Sequence, residues 1–143
     1  MPPPTDPFLN NHFQVEIDGL AATDFTEVIL PEPRADVIEF RTGGERTTRK
    51  IAGRIRYGNL VLRRGLSQSD ELFQWWSLVV SGVPARKNAV VMLLGPNSEE
   101  VKRWSLFRLL PVRYALSPLS SIEAPVALME TLECATEGFE LVQ

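Results

Sequence analysis

Short stretches of alternating apolar and polar residues occur along most of the chain. In HFQVEID, residues 12–18, Phe13, Val15 and Ile17 alternate with polar side chains, which predicts a half-buried β-strand. DFTEVIL and ADVIEFR repeat the pattern on either side of PEP, whose prolines prevent one continuous strand. Further apolar, β-branched runs lie at residues 57–65, 88–95, 103–116 and 124–142. The pattern predicts a mainly β protein with about seven strands.

One segment has helical rather than alternating spacing. In SQSDELFQWWSLVVSG, residues 67–82, large apolar side chains recur every three or four positions, and two acidic residues precede them. Acidic side chains at that end are favoured by the helix dipole, and Gly82 is a typical helix stop. The spacing predicts a single helix over about residues 69–81, with Trp75 and Trp76 packed on the sheets.

Length and composition limit the number of domains. The chain has 143 residues, of which 44% are hydrophobic, and this predicts one domain over residues 1–143 with a single core. No apolar run reaches about 18 residues, and MPPPTDPFLNN lacks the parts of a signal peptide, so we expect no membrane insertion and no signal-dependent export. The single cysteine, Cys134, is expected to be a small buried side chain.

Charge is distributed unevenly along the chain, although the formal net charge is only −3. Residues 1–40 carry eight acids and one base, whereas residues 41–64 carry eight bases and one acid. Residues 117–143 contain five glutamates and no base. Copies of such a chain attract each other head to tail, and contacts between like surfaces are repelled. The alternative interpretation of the basic stretch is a solvated loop without a partner.

Candidate catalytic and metal-binding residues are few. His12, the only histidine, has neither a second histidine nor a nearby cysteine to complete a metal site. The glycine-rich and nucleophile motifs of phosphate-binding, dinucleotide-binding and hydrolase sites are missing. Glu99 and Glu100 lie in a predicted turn. We therefore expect a protein that is not an enzyme and that needs no cofactor or metal ion.

The basic stretch keeps nucleic-acid binding open as an alternative. Eight bases on a β scaffold could follow a phosphate backbone. Single-strand binders, however, place aromatic rings between their charges, and residues 41–64 contain only Tyr57. The acidic flanks would also repel a polyanion. A monomeric β-barrel module that binds nucleic acid is therefore the second interpretation.

An ordered set of segments carries a resemblance to a known family. The set spans about residues 10–142 and consists of FQVEIDGL, FTEV, VIEFRTGGE, RKIAGRIRYGNLVLRRG, LFQWW, RKNAVVMLL, PVRY and ALMETLECATEGFE. It resembles the inner-tube proteins of contractile phage tails and of phage-tail-like injection systems. No single segment is diagnostic, and the order of the set is what carries the resemblance. The sequence departs from the family pattern at ILPEP and at LLP, residues 109–111.

The resemblance implies a tail-tube-like sandwich or barrel of two antiparallel sheets with one helix. It also implies hexameric rings that stack into a hollow tube inside a sheath. An extended assembly arm, about residues 41–56, would reach the neighbouring subunits and the next ring, and its glycines would keep it mobile before it docks. The expected arm residues are Arg41, Gly43, Gly44, Arg46, Arg49, Lys50, Gly53, Arg54 and Arg56.

The resemblance also implies the partners and the location of the protein. The expected partners are further copies of the chain, sheath and baseplate proteins, and a cargo in the lumen. A ring that initiates the tube at the baseplate is an alternative within the same family. We expect assembly in the cytoplasm, as part of a phage virion tail or of an injection particle that can be released from the cell.

Overall fold

The computed structural model describes residues 6–20 and 24–142. It contains two antiparallel β-sheets, one helix and a separate hairpin. The elements are, in chain order, β1 (Phe13–Ile17), β2 (Glu27–Ile29), β3 (Pro33–Phe40), β4 (Arg49–Tyr57), β5 (Leu60–Gly65), α1 (Glu71–Val80), β6 (Lys87–Leu94), β7 (Glu100–Leu116), β8 (Met129–Ala135) and β9 (Gly138–Val142). In this part of the chain no helix is both long and apolar enough to cross a membrane.

The long strand β7 belongs to both sheets. Its first part pairs with β6 and β9, and its second part, from Leu110 onward, pairs with β8. The first sheet therefore has the order β1-β6-β7-β9, and the second sheet has the order β7-β8-β5-β2. Between the two parts, Arg108 has a φ of 54°, a conformation in which the strand changes direction. The two sheets form a sandwich, so the predicted mainly β fold with two antiparallel sheets and one helix is confirmed.

The core lies between the two sheets. Successive side chains of a strand point to opposite faces, so alternate residues of the facing strands are buried. Cys134 is among them, as predicted, and burial raises the pKa of its thiol to about 12. The thiol therefore stays protonated and unreactive at neutral pH. The buried strand residues are Val15, Ile17, Leu60, Leu62, Ala89, Val91, Leu106, Leu109, Leu132 and Cys134.

Helix α1 packs on the sandwich with Leu72 and Trp75 buried in the core. Both side chains belong to the apolar set that predicted the helix. Gly82 follows the helix with a φ of 81°, which glycine adopts without strain. The Val83 N–H then donates to the Leu78 carbonyl at 2.8 Å, as in a Schellman motif. The predicted helix stop at Gly82 is therefore confirmed.

The C-terminal apolar run, residues 124–142, forms two strands rather than one. Thr136 and Glu137 separate β8 from β9, and the Glu137 N–H donates to the Phe107 carbonyl at 3.0 Å. The Thr136 hydroxyl donates to the same carbonyl at 3.0 Å. This turn moves the chain from β8 in the second sheet to β9 in the first sheet, so the run contributes one strand to each sheet.

A buried ion pair joins two neighbouring strands of the second sheet. Arg64 on β5 lies opposite Glu130 on β8, and its Nε donates to Glu130 Oε1 at 2.5 Å. The Tyr114 hydroxyl donates to Oε2 of the same carboxylate at 2.6 Å. Burial and this hydrogen bond raise the pKa of Tyr114 well above its usual value, so the hydroxyl keeps its proton. Arg64 is part of the basic stretch in the sequence but lies in the interior of the fold.

Candidate assembly surface

Strands β3 and β4 form a hairpin that is separate from both sheets of the sandwich. Among the described strands they pair only with each other, from Pro33 opposite Tyr57 to Phe40 opposite Arg49. At the base, the Gly58 N–H donates to the carbonyl of Glu32 at 2.9 Å. Most side chains of both strands are exposed. We call residues 32–58 the hairpin.

The predicted arm residues all lie in this hairpin. The structure adds β3 to the predicted arm, because β3 is the partner of β4 and not a strand of the sandwich. The extended segment that the resemblance implies is thus one half of a paired hairpin. The loop between the strands holds Arg41, Gly43, Gly44 and Arg46, and β4 holds Arg49, Lys50, Gly53, Arg54 and Arg56.

Carboxylates within the hairpin neutralise part of its positive charge. The ion pairs are Arg34–Glu32 at 2.8 Å, Arg49–Glu45 at 2.9 Å, Lys50–Glu39 at 3.9 Å and Arg56–Asp36 at 3.0 Å. Because these groups are largely exposed, each pair contributes at most about 1 kcal/mol to stability. Arg46 and Arg54 form no ion pair with any residue in 6–20 or 24–142. The charge that the hairpin offers to a partner is therefore smaller than the basic stretch alone suggests.

The hairpin also exposes large apolar side chains, which are not among the site residues predicted from the sequence. Each of them is between 43% and 62% exposed. Val37 and Ile38 are consecutive in β3 and point to opposite faces, so both faces of the hairpin expose apolar groups. Exposed apolar groups of this kind are typical of protein interfaces. The alternation in ADVIEF had suggested a strand with one face buried in its own domain. The exposed apolar residues are Val37, Ile38, Phe40, Ile51 and Ile55.

Gly53 allows a close contact across the hairpin. A Cβ atom added at Gly53 would lie 2.9 Å from both Cγ1 and Cδ1 of Ile38. The strand register also shifts at this place, between Ala35 and Val37, and such bulges increase the local twist of a strand pair. The missing side chain of Gly53 therefore leaves room for Ile38 on the twisted hairpin.

Backbone hydrogen exchange in the hairpin is expected to be fast in the monomer and slow after assembly. An isolated two-stranded sheet is only marginally stable in water, so its amides exchange through frequent local opening. The comparison is between residues 33–57 and β8, measured by mass spectrometry on a verified monomer and on assembled protein. Equal protection of both segments in the monomer would contradict the prediction.

The family model of the T4-like virus tail tube protein gp19 matches residues 9–140. The chain belongs to this family. The resemblance that the ordered segments carried is thereby confirmed over nearly the same residues. No curated protein sequence matches the chain.

Several solved structures share the fold of this tail tube family member. The anti-feeding prophage baseplate structure matches with a TM-score of 0.85 and 25% identity, over 96% of this chain and 97% of that chain. The sheath-tube complex of PVC, an extracellular contractile injection system, matches with a TM-score of 0.87 and 18% identity, over 97% and 93%. Hcp1 from Flavobacterium johnsoniae has a TM-score of 0.56 and 17% identity, over 91% and 94%. These matches confirm the predicted tail-tube-like fold.

Proposed function

We propose that the protein is a structural subunit of the inner tube of a contractile tail or injection system. In this role it forms hexameric rings, which stack into a hollow conduit for cargo inside a sheath and on a baseplate. Such a subunit is assembled in the cytoplasm and becomes part of a phage virion tail or of an injection particle that can be released from the cell. The protein has a structural role and is not an enzyme.

The hairpin is the observation that carries this proposal. The hairpin contributes no residue to the described core of the sandwich, because the core residues lie on other strands and on α1. Its five large apolar side chains are only partly covered within the chain. Its free strand edges also expose unpaired backbone groups, which are a liability unless another copy covers them. A ring of identical subunits supplies such a cover for every hairpin, with the same contact repeated around the symmetry axis.

A ring that initiates the tube at the baseplate is the second candidate. The observation that favours it is the identity of 25% to the anti-feeding prophage baseplate structure, compared with 18% to the PVC sheath-tube complex. A tube subunit stacks ring on ring without a fixed limit, whereas an initiating ring has a different partner on one side. The two roles therefore differ in the length of the object that the purified protein forms.

Negative-stain microscopy of the purified protein tests both roles. We expect rings with six-fold class averages, and stacks of open-ended length for the tube subunit or single rings for the initiating ring. A monomer that forms neither and that binds a single-stranded oligonucleotide with strong salt dependence would instead support the nucleic-acid module. The ion pairs within the hairpin argue against that module, because they occupy several of its bases.

Reversing the charge of Arg46 and Arg54 together, with Arg46→Glu and Arg54→Glu, is expected to abolish stacking. Both residues are exposed, so the free energy of unfolding of the monomer should change by less than about 0.5 kcal/mol. In the assembly they would face acidic surface of adjacent copies, where like charges cost several kcal/mol in total. Sedimentation measures the assembled fraction.

The matched control for this reversal is the neutral pair Arg46→Gln and Arg54→Gln, for which we expect a partial loss. If the charge-reversed protein formed tubes as readily as the wild type, the two arginines would have no part in assembly.

A further inference from the structure

The connection between β7 and β8 exposes three large apolar side chains. In this loop, residues 117–128, Leu119 is 85% exposed, Ile122 93% and Val126 83%. Some of its hydrogen bonds are local: Ser120 Oγ accepts from the N–H groups of Ile122 and Glu123. Aliphatic side chains this exposed in a single loop gain free energy only when another surface covers them.

An open groove of about 610 Å³ lies between the N-terminal segment, β2 and the first sheet. None of the loop residues 117–128, all of which the structure describes, lines this groove, so the loop does not fill it within one copy. Asn10 and Asn11 also line it. Its apolar lining includes Phe8, Leu9, Val28, Ile29 and Leu93.

The loop and the groove lie toward different edges of the second sheet. The loop joins β7 and β8 at one edge, and the groove lies along β2, which forms the other edge, and extends to Leu93 and Trp104 of the first sheet. Edge strands β7 and β2 are three strand spacings apart, or about 14 Å. A protruding surface and a receiving surface at different places on one subunit produce a head-to-tail contact, which closes into a ring when the rotation permits.

We infer that the loop of one copy inserts Leu119, Ile122 and Val126 into the groove of the adjacent copy. The inference rests on the proposed ring assembly and names one of its contacts. The three side chains would bury on the order of 300 Å² of apolar surface. Each partner of a standard interface buries about 800 Å², so the loop supplies a substantial part and the hairpin can supply more.

Disulfide trapping tests the contact in the assembled protein. The native Cys134 is buried, so only introduced cysteines react. We expect the variant with Leu9→Cys and Ile122→Cys to give, under mild oxidation, a ladder of covalent multimers on a non-reducing gel. Each single variant should remain mostly monomeric on that gel. A cross-link within one monomer, visible as a shifted monomer band, would mean that the loop fills its own groove and would overturn the inference.

The hairpin of a neighbouring copy is the other possible occupant of the groove. A variant with Leu9→Cys and Ile38→Cys reports on it, because Ile38 lies on the hairpin and is exposed. We expect no ladder from this pair. A ladder here, combined with none from the pair at residues 9 and 122, would assign the groove to the hairpin and would overturn the inference.

Serine substitution of the loop separates this inference from the proposed function. In the variant with Leu119→Ser, Ile122→Ser and Val126→Ser, we expect the concentration at half-maximal ring formation to rise by roughly 100-fold or more. Monomer stability should be unchanged. The matched control is Val80→Ser, at an apolar position that is 70% exposed on α1, with little expected effect.

Normal rings from the triple variant would refute the loop contact alone. A wild-type protein without rings would refute the proposed function and this contact with it.

Discussion

Replacing Val37 and Ile55 of the hairpin by aspartate is expected to abolish assembly and to leave the monomer folded. The two side chains are 62% and 54% exposed in the single chain, so a charge there remains in contact with water. In the proposed assembly both become buried, and an unpaired carboxylate in an apolar interface costs several kcal/mol. Two such groups raise the concentration needed for assembly by at least about 1,000-fold. Light scattering measures assembly, and circular dichroism verifies the monomer fold.

The control for the aspartate variant keeps the branched Cβ of both side chains and adds no charge. Val37→Thr with Ile55→Thr retains branching at Cβ and a preference for strand structure, so it removes apolar surface without adding charge. We expect an intermediate loss of assembly from this pair. If the aspartate variant assembled at the wild-type concentration, these side chains would lie outside every subunit interface, and the hairpin would lose its role as the assembly surface.

Removing the carboxylate of Glu130 is expected to lower the free energy of unfolding of the monomer by about 3–5 kcal/mol. In Glu130→Ala the Arg64 guanidinium stays buried without its partner, and the Tyr114 hydroxyl loses its acceptor. Urea unfolding, followed by tryptophan fluorescence at a concentration at which the protein is monomeric, measures the loss. This change acts on the sandwich itself, whereas the hairpin variants act on contacts between copies.

Two further variants define the origin of that loss. Glu133→Ala removes a carboxylate from the same strand, where it lies 3.7 Å from exposed Arg113 and accepts a hydrogen bond from exposed Asn59 at 2.7 Å. Because both partners are exposed, we expect a loss of about 1 kcal/mol or less. The double variant Arg64→Met with Glu130→Leu replaces the buried pair with apolar groups and should recover much of the stability. Equal losses for Glu130→Ala and Glu133→Ala would contradict the importance of the buried pair.

The alternation of apolar residues was sufficient to predict most of the sandwich. Val15 and Ile17 are buried on β1 because the side-chain period of a strand is two, whatever the strand pairs with. The helix stop at Gly82 was likewise readable, since it depends on a local backbone conformation that glycine adopts without strain. The split between β8 and β9 was not readable, because it depends on which sheet each half pairs with.

Charge was the least predictable property from the sequence. The basic stretch appears uniform along the chain, yet antiparallel pairing places Glu39 opposite Lys50 and Asp36 beside Arg56. It also buries Arg64 against Glu130, which is 66 residues away in sequence. Counting charges along a segment cannot detect such pairs, because their partners come from other strands.

The sequence by itself determined the fold class, most strands, the helix and the family, because these depend on local periodicity and on the order of segments. Only the tertiary structure decided that β3 and β4 leave the sandwich as a hairpin and that Val37 and Ile55 remain exposed. The physical reason is that alternation marks an apolar strand face without saying what covers it. The same alternation occurs in a strand whose apolar face packs on the core of its own domain and in a strand whose apolar face is buried only by another copy of the chain.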